Sequence, residues 1–151
     1  MILPNFNDFP RSGPVMGIDW GARRTGVAVS DGTRDFVFAR PVVVAERGAS
    51  SVARQIAELA RTENVAGIVI GLPLHMDGTE SDTTSMVRRF ATELCTYTDL
   101  PIVFIDETLT SASAQESMGR VRVSDIKRGL DSESARVILE NAIAVINRLN
   151  K

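Results

Sequence analysis

The chain holds a single cysteine, Cys95, and a single histidine, His75. One cysteine excludes an internal disulfide, and the pair is too sparse for a zinc site. A Cys–His nucleophilic dyad would need the two to meet, and nothing in their spacing brings them together. Cys95 reads instead as a small core or half-core residue on a helix. Long apolar runs are missing too, and none approaches the length of a membrane span. Residues 1–14, with Pro4, Asn5, Asn7, Asp8, Pro10 and Pro14, lack the apolar centre of a secretory signal. A cytoplasmic location and no membrane partner are expected. There is no surplus of positive charge either: 17 basic residues against 19 acidic ones leave a net charge of −2. That argues against a protein that coats nucleic acid non-specifically. It leaves room for a nuclease, because a local basic surface suffices and bound metal ions change the local field.

What is present is ordinary globular material: 151 residues, 44% hydrophobic and 24% charged, without repeats or low-complexity tracts. The length predicts one domain over residues 15–151, preceded by a flexible extension over 1–14. Three apolar runs read as buried strands: Val15 to Asp19, Ala66 to Ile70 and Ile102 to Ile105. Gly26 to Ser30 and Phe36 to Val44 follow the first so closely that hairpins are the natural connection, with turns at 22–25 and 31–33. Pro41 in the third strand suits a sheet edge.

Between the later strands the period becomes helical. Val52, Ile56, Leu59 and Ala60 share one face behind a Ser50 or Ser51 cap, and Met86, Val87, Phe90, Ala91 and Leu94 share another. A short helix is predicted from near Thr110 to before Gly119. A last one carries the stripe Ala135, Ile138, Leu139, Ala142, Ile143, Ile146 and Leu149. The order β-β-β-α-β-α-β-α-α predicts an α/β fold. Its sheet is mixed and five-stranded, three antiparallel strands then two parallel, flanked by helices. Right-handed crossovers place the later two strands parallel to the first, so their C-terminal ends share the edge that carries Asp19.

Polar residues gather at that edge. The first strand ends in Asp19, the second runs into Gly71-Leu72-Pro73-Leu74-His75-Met76-Asp77-Gly78-Thr79-Glu80, and the third into Asp106-Glu107-Thr108-Leu109-Thr110-Ser111. Asp131 opens the last helix. Carboxylates converging without histidines suit hard cations such as Mg²⁺ or Mn²⁺. Two such ions about 4 Å apart are a recurring device for phosphodiester cleavage. Asp19, Glu107 and Asp131 are the expected ligands and catalytic acids. Asp106 is held in reserve, because strand alternation aims only one of two neighbours at a given site.

Each of these residues has a plainer use. Asp131 before Ser132-Glu133-Ser134 makes a good helix N-cap, and Thr110 or Ser111 could cap the short helix. Asp77-Gly78 is a turn dipeptide, and His75 beside it suits a surface loop. Arg23 and Arg24 fit a solvated hairpin, though next to Asp19 they could touch phosphate. The stretch 119–129 carries Arg120, Arg122, Lys127 and Arg128 against one acid. It could grip a nucleic-acid backbone or simply be a solvated loop. Only the convergence of acids raises the metal reading above these alternatives.

Four motifs in sequence then resemble one family. They are Gly17-Ile18-Asp19-Trp20-Gly21 with Thr25-Gly26-Val27-Ala28, the Ile70–Glu80 stretch, Asp106-Glu107-Thr108-Leu109-Thr110-Ser111, and Asp131-Ser132-Glu133-Ser134-Ala135. Together, from about Val15 to the last helix, they look like the YqgF (RuvX) family. Its members are Holliday junction resolvase-like proteins, also described as nucleases that mature the 5′ end of pre-16S rRNA. The resemblance implies a single RNase H-like nuclease domain over 15–151 and metal-dependent phosphodiester hydrolysis in ribosome biogenesis. Asp19, Glu107 and Asp131 match the family's acids. The family commonly has a basic residue where this chain has Thr108 and asparagine where it has His75, which bears on substrate contact more than on metal binding. Candidate substrate contacts are Arg23, Arg24, His75, Thr110, Arg120, Arg122, Lys127 and Arg128.

The partners implied are a nucleic acid (rRNA precursor or branched DNA) and pre-ribosomal particles. A resolvase would need a homodimer with two-fold related sites. Two other functions compete. Asp19-Trp20-Gly21 and its hairpin also resemble a phosphate loop of actin-like sugar kinases and ATPases, but those enzymes close two such domains around a nucleotide. A non-catalytic ribosome-assembly module is the other, although clustered carboxylates gain nothing for a surface that binds polyanions.

Overall fold

A computed structural model describes residues 1–107 and 132–150. Five strands form one sheet: β1 (Val15–Asp19), β2 (Arg24–Ser30), β3 (Val37–Val44), β4 (Gly67–Leu72) and β5 (Ile102–Asp106). Their order across the sheet is β3-β2-β1-β4-β5. The first three are antiparallel, and β4 and β5 run parallel to β1. Among the described residues three α-helices flank it: α1 (Val52–Thr62), α2 (Asp82–Leu94) and α3 (Glu133–Leu149). This is the mixed α/β sheet expected from the sequence. The short helix anticipated after Thr110 lies outside the described residues.

Alternation along the strands divides the core in two. Met16, Ile18, Ile68, Ile70, Leu72 and Ile102 face α1 and α2. Val15, Ala28, Val69 and Val103 face α3, whose Ala135, Ile138, Leu139, Ala142, Ile143 and Ile146 are all buried. Glycine lets α3 lie close to the sheet. A Cβ on Gly17 would stand 2.7 Å from Leu139 Cβ and 3.0 Å from the Ala135 carbonyl oxygen. Two side chains of the predicted apolar faces are half exposed: Met86 on α2 at 44% and Leu149 at the end of α3 at 43%. Cys95 is half-buried at the C-terminal cap of α2. Among the described residues no helix is long and apolar enough to cross a membrane.

The segment before β1, expected as a loose extension, is packed. The Leu3 amide donates to the Ile102 carbonyl at 2.7 Å and the Ile102 amide to the Met1 carbonyl at 2.8 Å, so Ile2 bridges to β5 in parallel. Leu3, Phe6 and Phe9 are buried with α3. Phe9 fills the space above Gly67, where a Cβ would meet its Cζ at 2.6 Å. Prolines and polar residues dominate the composition of this stretch and hide the spaced apolar residues that anchor it.

Pro41 sits where the β2–β3 register shifts. Thr25 pairs with Val43 and Val27 with Arg40, leaving Pro41 and Val42 opposite Gly26 alone. Proline has no amide hydrogen, and a bulge on an edge strand is where it is tolerated. The opened ladder is bridged from α3. Buried Ser132 accepts from the Val27 amide at 3.0 Å and donates to the Arg40 carbonyl at 2.6 Å, both through Oγ.

Candidate active site

The C-terminal ends of β1, β4 and β5 share one edge of the sheet, and two acids meet there. Asp19 ends β1 and Glu107 follows β5, with β4 lying between the two strands. Strands are about 4.8 Å apart, so a side chain on β4 would stand between the carboxyl groups. The residue at that point is Gly71, paired with Ile105. A Cβ there would be 3.3 Å from Glu107 Cδ and 2.6 Å from Ile138 Cδ1. Gly71 is the gap through which Glu107 reaches Asp19.

Asp19 and Glu107 are hydrogen-bonded to each other, and the Glu107 carboxyl is pushed up to about 8. Burial is the main cause; the charge of Asp19, the hydrogen bond to it and the charge of Asp106 add to it. Ionising both would set two negative charges in contact, so Glu107 holds its proton above its ordinary range. The donor set is hard oxygen, and a divalent cation supplies the missing counter-charge. Among the described residues no group of three or more His, Cys, Asp or Glu side chains gathers.

Asp106 belongs elsewhere. Alternation sends it to the face of Ile102 and Phe104, where it is exposed and lines a cavity with Leu72, Leu74 and Arg88. Arg88 is paired bidentately with Glu80 and lies 5.4 Å over the Phe104 ring. Glu107 is therefore the neighbour aimed at Asp19.

The turn between β1 and β2 is tight: a Cβ on Gly21 would stand 2.4 Å from the Arg24 carbonyl oxygen. Arg23 and Arg24 are exposed beside it. His75 is exposed in a small hairpin, its amide donating to the Thr79 carbonyl at 2.9 Å and its carbonyl accepting from Gly78 at 2.8 Å. Asp77 accepts from the Thr79 amide and hydroxyl, which hold its carboxyl below the usual range. Thr108, Thr110, Arg120, Arg122, Lys127, Arg128 and Asp131 lie outside the described residues.

Two contributors escaped the sequence reading. Ser132, not Asp131, is the N-cap residue of α3, and its side chain makes no cap hydrogen bond. Its hydroxyl is spent on the β2–β3 bulge instead. That tether sets the start of α3 over Gly26, where a Cβ would be 3.5 Å from Ser132 Cα and 3.6 Å from Asp19 Cβ. Gly26 itself pairs with Asp19. Pro41 was the visible signal for the bulge. Gly71, directly before Leu72-Pro73, was the visible signal for the gap.

The chain is similar to known proteins over most of its length. A protein of Maridesulfovibrio salexigens named "Putative pre-16S rRNA nuclease" is 41% identical over 133 residues, covering 86% of this chain and 97% of its own. One of the same name from Rhodobacter capsulatus is 36% identical over 160 aligned positions, covering 100% of this chain and 98% of its own. Among solved structures, Thermus thermophilus RuvC in complex with a Holliday junction substrate superposes with a TM-score of 0.60. It covers 92% of this chain and 97% of its own at 12% identity, a likeness of fold of the RNase H kind. The family model described as "RuvX: Holliday junction resolvase" matches residues 13–144, and the protein belongs to the RuvX family of nucleases.

Proposed function

We propose that the protein is a metal-dependent phosphodiester hydrolase that trims the 5′ end of pre-16S rRNA. The observation that carries this reading is the contact between the half-buried Glu107 carboxyl and that of Asp19 at the sheet edge. The RNA assignment draws on the names of the relatives. Asp19 and Glu107 would hold Mg²⁺ or Mn²⁺, with Asp131 as the third acid and two ions as the expected complement. Support for Asp131 comes from its place in the chain, directly before a serine anchored beside Gly26 and Asp19.

A divalent cation held by these acids supplies Lewis-acid activation of water and neutralises charge on the phosphate. The chain's own groups prepare for it. Glu107 would give up its proton on loading, and Asp19 at the end of β1 and Glu107 just after β5 would present carboxylate oxygens from one sheet edge. Gly71 keeps the space between them open. Arg23 and Arg24, exposed on the adjoining turn, would bind phosphodiester oxygens flanking the cut.

The test is single-turnover cleavage of a precursor rRNA and a four-way DNA junction, each with and without Mn²⁺. Metal-dependent cut of the rRNA that disappears in Asp19→Asn is the expected result. Cleavage of the junction alone would replace the RNA assignment with the resolvase one. Binding of precursor without cut in either substrate would sink the hydrolase reading.

A further inference from the structure

We propose that the groove beside Trp20 is a base-binding subsite. It takes one unpaired nucleobase of a single strand whose backbone crosses the β1–β2 turn next to Asp19. The inference rests on the hydrolase reading and adds the form of substrate that the site grips.

Alternation at the end of β1 turns Asp19 toward α3 and sends Trp20 to the opposite face, where it packs against the α1–α2 core. The indole is half-buried against Phe90, with ring centroids 6.5 Å apart and planes at 38°. It lines a cavity of about 360 Å³ with Gly21, Val52, Met86 and Arg89, within the usual range of about 300–1,000 Å³ for small-molecule sites. Helices α1 and α2 both start after a strand that ends at the Asp19 edge. The groove between them therefore opens where the acids are.

The lining favours a base over other occupants. Indole and thioether give a flat, polarizable floor, and Met86 remains 44% exposed although the apolar stripe of α2 would bury it. Arg89 at the rim is exposed and makes no ion pair among the described residues. Glu93, one turn further along, closes the far end and repels phosphate from it. Arg23 and Arg24 complete a positive approach on the side of the turn. A phosphate beside Asp19 and a base on Trp20 are thus served by adjacent residues, the last of β1 and the one that follows it. Bases in a duplex are stacked on each other and cannot enter, so the groove selects an unpaired strand.

Trp20 is the single tryptophan of the chain, so its fluorescence reports this groove alone. The experiment titrates the full chain, in chelator, with a short single-stranded RNA and with the same sequence as a duplex. Saturable quenching by the single strand but not by the duplex is expected. Trp20→Leu weakens single-strand binding about 5- to 150-fold, the range to which about 1–3 kcal/mol of base stacking converts. Met86→Glu, which leaves Trp20 packed on Phe90, weakens it as well and supplies the answer should Trp20→Leu fail to fold.

Single-strand binding that leaves the emission unchanged overturns the proposal, as does equal weakening of single strand and duplex. Quenching by an apolar peptide and not by RNA would assign the groove to a protein partner and overturn it too. Cleavage separates this from the hydrolase reading. Metal-dependent cut without quenching sinks the subsite alone, and quenching without any metal-dependent cut sinks the hydrolase reading alone.

Discussion

Asp19 and Glu107, 88 positions apart in the chain, share one hydrogen bond across a strand that has no side chain at the crossing point. Burial raises the cost of ionising Glu107 most, and the charge of Asp19 adds to it. In the absence of metal the pair is a source of instability. Asp19→Asn and Glu107→Gln both remove the repulsion. Each should raise the thermal stability of the metal-free protein at neutral pH by on the order of 1–3 kcal/mol while lowering metal-dependent cleavage on the order of 100-fold or more. Calorimetry in chelator beside single-turnover cleavage reads both. A metal-free protein that loses stability in both variants would show that the pair is structural.

The pH dependence follows from the direction of the shift. Glu107 is raised from an ordinary 4.5 to about 8, so between those values the folded chain keeps a proton that the unfolded chain has released. This group's contribution to stability is fully present below pH 4.5 and is lost as pH climbs toward about 8. Unfolding curves of the metal-free protein should show that decline, and Glu107→Gln should flatten it. Loading at neutral pH should release a proton, and Mn²⁺ affinity should climb with pH across the same interval. Titration in buffers of different ionisation enthalpy counts the proton.

Gly17 and Gly71 both face α3, yet alanine should cost different amounts. At Gly71 the new Cβ meets Ile138 Cδ1, the far end of a side chain that can rotate away. At Gly17 it meets Leu139 Cβ and a backbone oxygen of α3, which cannot move without the helix. Gly17→Ala should destabilise by about 2–3 kcal/mol and Gly71→Ala by about 1 kcal/mol. Gly71→Ala should nonetheless hurt Mn²⁺ binding more, since it narrows the gap through which Glu107 reaches Asp19. Denaturant melts and metal titrations test the crossing of the two effects.

Ser132→Ala leaves the Val27 amide and the Arg40 carbonyl without their shared hydroxyl. The Val27 amide is buried and the Arg40 carbonyl half-buried under the start of α3, so the loss should be about 1–3 kcal/mol. Ser51→Ala is the control. It removes an exposed cap on α1, where Ser51 accepts from the Arg54 amide at 3.2 Å, and should cost about 1 kcal/mol. Only Ser132→Ala should also lower Mn²⁺ affinity.

The strands and their order were legible because each carried a clean apolar run and the connection lengths left few topologies. Asp19 and Glu107 were legible as a pair because both end parallel strands, and parallel strands share an edge. Alternation also separated Glu107 from Asp106 once one of them was known to share a face with Gly17. The packing of residues 1–14 was not legible. It depends on Phe9 meeting Gly67, 58 positions away, and no local pattern encodes that meeting. The use of Ser132 was hidden for the same reason: a serine before a helix looks like a cap, and only the bulge at Pro41 makes a different demand on it. The Trp20 groove was hidden because Met86 fits the apolar stripe of α2 in sequence and is left half exposed in space.

The rung between Met1, Leu3 and Ile102 has a consequence in time. Its two partners lie about a hundred residues apart in the chain, so residues 1–9 must wait for β5 to be made before they can dock. Until then Phe6 and Phe9 have no hollow to fill, and the outer side of β5 has no cover once it forms. Residues 1–9 thus act as a latch that closes last, and removing them should leave a folded sheet with an unguarded strand, prone to self-association.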